Sequence, residues 1–267
     1  MENGSLSKAL ESLHDTIQRK DSARIYQLAL WSEPQRGVPN EVARSALFAA
    51  VQPNRARYME REVIFSQSGF TITYTGKQLT QSDLDVFEGI MHVARGTHEG
   101  NKIRFRSREL LKVIDRDTGK SQYQWLLNVM GRLTATCIAI RRDGGDVFWG
   151  SLLPEGAAKL EDGSFTVEIN RQLIKLFTRG YTVIQWKQRR ALAKKPLAQH
   201  LHAWICSHER PYPVTVEFLR KLTGSDTKAL YKFRQLLKTA LNAIQATGAI
   251  HAWEIDRTDK VHIAKSL

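Results

Sequence analysis

The chain carries one order of elements twice. Over residues 105–153, and again over 213–265, a short extended piece enters a helix and a polar turn follows. A second helix with a basic face then leads into two short strands joined by a turn. The first copy closes with Thr134-Ala135-Thr136-Cys137-Ile138-Ala139-Ile140, the turn Asp143-Gly144-Gly145-Asp146, and Val147-Phe148-Trp149. The second closes with Ala249-Ile250-His251-Ala252-Trp253, a turn from Asp256 to Lys260, and Val261-His262-Ile263. Ser107-Arg108-Glu109-Leu110-Leu111-Lys112 parallels Thr215-Val216-Glu217-Phe218-Leu219-Arg220, each opening a helix with a hydroxyl cap and an early Glu. Helix, turn, helix and hairpin in this order make a winged helix, whose second helix fits a DNA major groove. The expected fold is α+β: a flexible N-terminal tail (1–37) and two tandem winged-helix domains (38–160 and 161–267).

Charge supports that reading. The 267 residues are 42% hydrophobic and carry a formal charge of +13, which points to a polyanionic partner. The excess is local. Residues 100–142 hold ten Lys/Arg against three Asp/Glu, and 171–200 hold eight against none, whereas 51–99 hold five against six. A solvated basic surface is the plainer alternative. Cys137 and Cys206 are too few for a disulfide framework and fall in apolar periodic segments, so both read as buried reduced thiols. No stretch has the length and apolarity of a signal peptide or a membrane span, so a soluble cytoplasmic protein without membrane contact is expected.

Between these landmarks, Leu6, Leu10, Leu13 and Ile17 have helical spacing. Residues from Glu41 to Val51 read as a helix, Glu62 to Phe65 and Phe70 to Thr75 as strands, and Ser82 to Arg95 as a helix capped by Ser82. A strand from Phe165 to Ile169 and helices from Arg171, Trp186 and Leu197 precede the second helix-turn-helix.

Two helices are placed to meet DNA. In the second module Leu230, Phe233, Leu236, Leu237, Ala240, Leu241 and Ile244 gather on one helical face. Lys228, Lys232, Gln235, Thr239 and Asn242 lie opposite, flanked by Tyr231 and Lys238. Gln and Asn bond adenine edges in pairs, Lys reaches guanine or phosphate, and Thr meets a thymine methyl. In the first module Leu126, Val129, Met130 and Leu133 form the inner stripe, and Ser121, Gln124, Asn128 and Arg132 the outer one. Lys120 stands at the helix start, where backbone N–H groups favour phosphate. Trp125 falls on the outer face and reads as a packing residue. Arg234, Arg190, Lys194, Lys195 and the second wing's Arg257 and Lys260 complete the candidate DNA contacts.

Three catalytic or ligand-binding readings fail on spacing. Thr118-Gly119-Lys120-Ser121 ends like a phosphate-binding loop, but Ile114 stands where that loop needs its first glycine. His200-Leu201-His202 imitates the metal site of rolling-circle nicking enzymes, yet helical spacing around it turns the two imidazoles apart. No carboxylate cluster suggests a two-metal nuclease. The sequence therefore calls for no cofactor, no metal and no enzymatic activity.

A series of short blocks resembles the TrfA-type plasmid replication initiators over nearly all of 38–256. They include Val38-Pro39-Asn40 with Ser45-Ala46-Leu47-Phe48, Tyr74-Thr75-Gly76, Thr118-Gly119-Lys120-Ser121-Gln122 with Trp125-Leu126, and Gln188-Arg189-Arg190-Ala191-Leu192. Lys195-Pro196-Leu197-Ala198-Gln199, Pro211-Tyr212-Pro213 and Lys232-Phe233-Arg234-Gln235 follow in order. The resemblance implies a non-enzymatic initiator that binds directly repeated origin sequences (iterons) in double-stranded DNA as a monomer and helps open an AT-rich duplex. It also implies recruitment of host helicase and host initiator, and a monomer–dimer equilibrium in which dimers formed through the first domain are inactive. Gln27-Leu28-Ala29-Leu30-Trp31 resembles the peptide by which bacterial proteins dock on the sliding clamp, with Gln27, Leu28, Leu30 and Trp31 as contacts and Trp in place of Phe. The other reading of that segment is an apolar patch docking on its own domain. A transcriptional regulator built on the same two winged helices is the alternative function. A nicking endonuclease rests only on His200 and His202.

Overall fold

The computed structural model describes Ser12 and residues 31–266 except 68, 96–101, 146 and 160. In chain order these hold β1 (Gln35–Pro39), α1 (Asn40–Ala43), β2 (Phe48–Ala49), β3 (Tyr58–Ile64), β4 (Phe70–Lys77), β5 (Leu79–Thr80), α2 (Gln81–Ala94), β6 (Lys102–Arg106), α3 (Ser107–Val113) and α4 (Lys120–Thr134). Next come β7 (Cys137–Arg142), β8 (Val147–Gly150), β9 (Gly156–Lys159), β10 (Ser164–Glu168), α5 (Arg171–Arg179), β11 (Tyr181–Gln185), α6 (Trp186–Ala191) and α7 (Pro196–Cys206). The chain ends with β12 (Val214–Thr215), α8 (Val216–Leu222), α9 (Leu230–Ala246), β13 (Ile250–Ile255) and β14 (Lys260–Lys265). The helix expected from Glu41 to Val51 stops at Ala43. The chain then turns, and Phe48–Ala49 runs parallel to β5. The cap of α2 is Thr80 rather than Ser82: Asp83 takes the Thr80 N–H at 2.8 Å, closing a capping box.

Both winged helices are present, but the first wing is not the hairpin the sequence pattern suggests. In the second module β12, β14 and β13 form a sheet with β14 in the centre. Its counterpart is β6-β10-β9, with β10 in the centre. One bond fixes the match. The first residue of α3, Ser107, donates its N–H to Gly163 O (2.8 Å), and the first residue of α8, Val216, donates to Asp259 O (3.0 Å). Gly163 and Asp259 both have positive φ, +67° and +63°. The expected first wing, β7–β8, is an insertion that joins β3 and β4 in a four-stranded sheet. It goes there because Ile138 and Ile140 alternate inward beside Tyr74 and Ile72, giving that apolar row its cover. The same alternation turns Cys137 outward, so it is exposed rather than buried; Cys206 is half-buried, and both are free thiols. Ser107 is likewise not the cap of α3, which begins after Arg106, whose N–H is held by the Glu109 carboxylate at 2.9 Å.

Two apolar cores mark the domains. One gathers residues from Trp31 to Trp186 together with Ala203 of α7, which packs across the seam, the other residues from Leu192 to Val261. The division thus falls within α6, some thirty residues past the expected 160/161 boundary, because β10 pairs with β6 and β11 pairs with β1. Neither strand can leave the first domain. The expected tail also ends earlier than residue 37. Trp31 is 4% exposed, stacks on Phe177 with centroids 5.8 Å apart, and donates its indole N–H to His92 Nδ1 at 3.2 Å. The expected clamp contact Trp31 is therefore a core residue. Gln27, Leu28, Leu30 and the spaced Leu6, Leu10, Leu13 and Ile17 lie outside the described residues.

The modules meet along a polar and apolar seam. Arg189, wholly buried, bonds Asp85 Oδ1 at 2.7 Å, approaches Glu88 Oε2 at 3.2 Å, and donates to the carbonyls of Gln81 (3.1 Å) and Gln199 (3.4 Å). Ala50 N–H reaches Thr223 O at 2.7 Å, His200 Nε2 reaches Ser45 O at 3.0 Å, and Phe65 meets Phe218 edge-on at 5.4 Å. Gly224, with φ +60°, sits so close that an added Cβ would be 2.9 Å from that of Ala49.

Two outcomes follow from this packing. Trp31→Ala removes a buried indole and its hydrogen bond, so unfolding free energy falls by about 3–5 kcal/mol, measured by urea titration. The second concerns acid. Burial holds His92 and His200 at about 4 and His202 at about 3, below the free-imidazole 6.5. Groups depressed in this way stabilise the fold fully above pH 6.5 and lose that contribution as pH falls toward 4. Glu88 acts oppositely: burial lifts its carboxyl to about 7, so its contribution to stability is full below pH 4.5 and is lost as pH rises to 7, which offsets part of the histidine effect. The melting temperature accordingly falls between pH 6.5 and 4 by calorimetry, and falls less steeply in a His202→Gln variant.

Candidate nucleic-acid interface

Helix α9 divides as a groove-reading helix should. Phe233, Leu237, Ala240, Leu241 and Ile244 are buried against the second core. Tyr231, Lys232, Gln235, Lys238, Thr239 and Asn242 are exposed, and no Asp or Glu occurs between residues 227 and 246. Three placements differ from the helical-wheel expectation. Lys228 lies before the helix, in a turn held by Arg220, which donates to Thr227 O (3.3 Å) and Lys228 O (2.8 Å). Leu236 is 49% exposed and lies outside the buried stripe, lining a groove with Pro196, Leu197 and Thr239. Arg234 does not face outward as a free cation. Its Nε and Nη2 grip the two oxygens of Asp259 at 2.9 and 2.8 Å. Arg257 and Lys260 are exposed on the wing turn, as expected.

Helix α4 shows the same division. Leu126, Val129, Met130 and Leu133 are buried, and Lys120, Ser121, Gln124 and Asn128 are exposed. Arg132 departs from the set. Its guanidinium bonds the fully buried Asp83 at 2.5 and 3.2 Å, tying α4 to the cap of α2. Trp125 packs half-buried beneath Arg116, whose guanidinium lies 3.6 Å above the ring. Arg190 also has fixed partners, Asp115 O at 3.0 Å and Asp85 Oδ2 at 3.6 Å. With Arg116, Gln122, Trp125 and Lys194 it lines an interdomain cleft of about 420 Å³. Lys194 and Lys195 are exposed where α7 begins.

One basic row was missed in the sequence. Lys102, Arg104 and Arg106 share the outer face of β6, facing Glu168, Thr166 and Ser164 across the sheet, with Lys159 beyond on β9. The alternation of Lys102-Ile103-Arg104-Phe105-Arg106 was its signal. His200 and His202 sit within α7 and take separate partners, Ser45 O and Gln188 Oε1 (3.2 Å). Among the described residues no group of three metal-ligating side chains converges, and no helix is long and apolar enough to cross a membrane.

Two winged helices in series, each with a polar, acid-poor outer helix, define a tandem winged-helix protein. The chain belongs to the TrfA protein family, whose model matches residues 5–265. It is 29% identical over 247 residues to the plasmid replication initiator protein TrfA of Escherichia coli, covering 89% of this chain and 64% of that protein. The chain thus spans less than two thirds of this relative's length. Among solved structures, domains 2 and 3 of RctB superpose with a TM-score of 0.60 at 12% identity, covering 86% of this chain and 99% of that one. The Pi initiator protein in complex with iteron DNA superposes with a TM-score of 0.55 at 12% identity, covering 89% and 100%. At such identity the likeness is one of fold.

The geometry separates anchoring residues from outward ones on α4. Arg132→Gln leaves Asp83 buried without its cation and lowers unfolding free energy by about 3 kcal/mol or more. Asn128→Ala, on the exposed face, changes it by less than about 0.5 kcal/mol in the same urea titration.

Proposed function

We propose that this chain is a plasmid replication initiator that binds directly repeated origin sequences through its two winged helices. The observation that carries the reading is the pairing of two exposed, acid-free helix faces in one chain, with the cations of β6 in the first module and Arg257 and Lys260 on the wing of the second. Gln235 and Asn242 on α9, with Gln124 and Asn128 on α4, supply base-edge contacts. Lys120, Lys194, Lys195, Arg257, Lys260 and the row Lys102, Arg104 and Arg106 supply phosphate contacts. The family and the iteron-bound Pi initiator of the same fold support this assignment. Opening of an adjacent AT-rich duplex and recruitment of host helicase and host initiator complete the proposal. So does exchange with an inactive dimer formed through the first domain. The protein acts by binding in the cytoplasm, without catalysis. Docking on the sliding clamp through residues 27–31 requires Trp31 to leave Phe177 and Tyr181 first, a cost of several kcal/mol.

Footprinting on the plasmid DNA flanking the coding region tests the reading. Protection of tandem direct repeats beside an AT-rich tract is the expected result; protection of one palindrome over the promoter would make the protein a transcriptional regulator. On the protected repeat, Gln235→Ala and Asn242→Ala each lose about 1–3 kcal/mol and little on random DNA. Lys194→Ala and Lys195→Ala weaken both alike.

A further inference from the structure

We propose that Arg234 and Asp259 form a strut that sets the second wing against helix α9, making Arg234 a positioning residue for duplex binding rather than a DNA contact. The inference rests on the duplex-binding reading above. The pair is bidentate, 2.9 and 2.8 Å, and joins the first turns of the helix to the tip of the wing. Both side chains are about one third exposed, 35% and 31%, so the pair adds little to stability. What it adds is direction.

The turn it grips is already ordered. Asp256 accepts from Thr258 N (2.8 Å), Thr258 Oγ1 (2.8 Å), Lys260 N (3.0 Å) and His262 Nε2 (2.9 Å). Asp259 N–H closes back on Asp256 O at 3.1 Å. Asp259 itself occupies a left-handed conformation that favours glycine, and its carbonyl holds the first N–H of α8. The first module puts a glycine at the equivalent place. Gly163 has nearly the same φ and makes the same bond to the first residue of α3, but offers no carboxylate to α4. The second module therefore keeps a less comfortable residue there, and a negative charge beside Arg257 and Lys260, on a surface meant for a polyanion. A strut accounts for both.

Asp259→Asn makes the test sharp, because Asn also tolerates the left-handed backbone, while the charge and one of the two acceptor oxygens that Arg234 grips are lost. Bare electrostatics says that removing a carboxylate from a DNA-facing wing tightens binding; a strut says that it weakens binding. The full chain, Arg234→Gln, Asp259→Asn and the double variant are titrated against a short labelled random-sequence duplex at several KCl concentrations, with thermal melts as a folding control. Each single variant is expected to bind about threefold to tenfold more weakly, with the slope of log affinity against log salt reduced by about 1 as wing–phosphate contacts are lost. The double variant should be no weaker than either single one. Tighter binding by Asp259→Asn with weaker binding by Arg234→Gln would make Arg234 a direct DNA contact and overturn the strut. Unchanged binding in both would overturn it too. Amide exchange at Thr258 and Lys260 in the free protein, faster in both variants, reads the strut without DNA. Failure of the unaltered chain to bind duplex would sink the DNA reading and leave that readout standing.

Discussion

One guanidinium occupies the joint on which the rest of this chain turns. Arg189 gives up all contact with water, and nothing short of a full set of acceptors offsets the cost of burying a cation. Helix α2 supplies Asp85, Glu88 and the Gln81 carbonyl; α7, already part of the second module, supplies the Gln199 carbonyl. Burial lifts Glu88 to about 7 even against the lowering pull of Arg189, while burial holds nearby Arg36 at about 10. Removing Arg189 would leave Asp85 with only Arg190, at 3.6 Å, and Glu88 without its nearest cation, a loss of the order of 3–5 kcal/mol. Because the acceptors come from both modules, the same charge balance that keeps the seam closed also sets the separation of the two outward helices.

The seam changes how net charge should be read. A formal +13 suggests a broad cationic coat, but several of the cations have structural partners. Arg189 is internal, Arg190 is tied to Asp85 and Asp115, Arg132 is spent on Asp83, and Arg234 on Asp259. The outward cations on the two modules include Lys120, Lys232, Lys238, Lys194, Lys195, Arg257, Lys260 and the β6 row. Arginine, with its planar fork, tends to be the internal fastener here, and lysine the solvent-facing charge.

Local pattern was enough for the two outward helices and failed where partners are distant in sequence. The stripe Phe233, Leu237, Ala240, Leu241, Ile244 has a 3.6-residue period and is buried as read. Leu236 fell just off that stripe, a placement that depends on how wide a face the neighbours cover. The first wing was misread because Gly156-Ala157-Ala158-Lys159 has none of the β-branched or aromatic residues that signal a strand, whereas Val147-Phe148-Trp149 does. Both hairpins exist; which one is the wing is a question of pairing with β6, and pairing leaves no local mark. Trp31 is similar. Its environment comes from Phe177, Tyr181 and His92, more than sixty residues away, so the sequence left a clamp peptide and a patch docked on its own domain as two readings, and packing chooses the second for Trp31. The ion pairs of Arg132 and Arg234 bridge gaps of 49 and 25 residues.

The closeness of Gly224 to Ala49 gives the turn between α8 and α9 two duties at once. It sets the angle within a helix-turn-helix, and through Thr223 and Gly224 it is also the surface on which the first module rests. Wing turns at the periphery can drift in length and composition over evolutionary time with effects confined to one module. A residue gained or lost at 223–225 would be felt twice, once in the pitch of the reading helix and once in the spacing between modules. On the proposed duplex-binding reading, a change in the sequence recognised is open to this protein through side chains on α9, and closed to it through the turn that carries them.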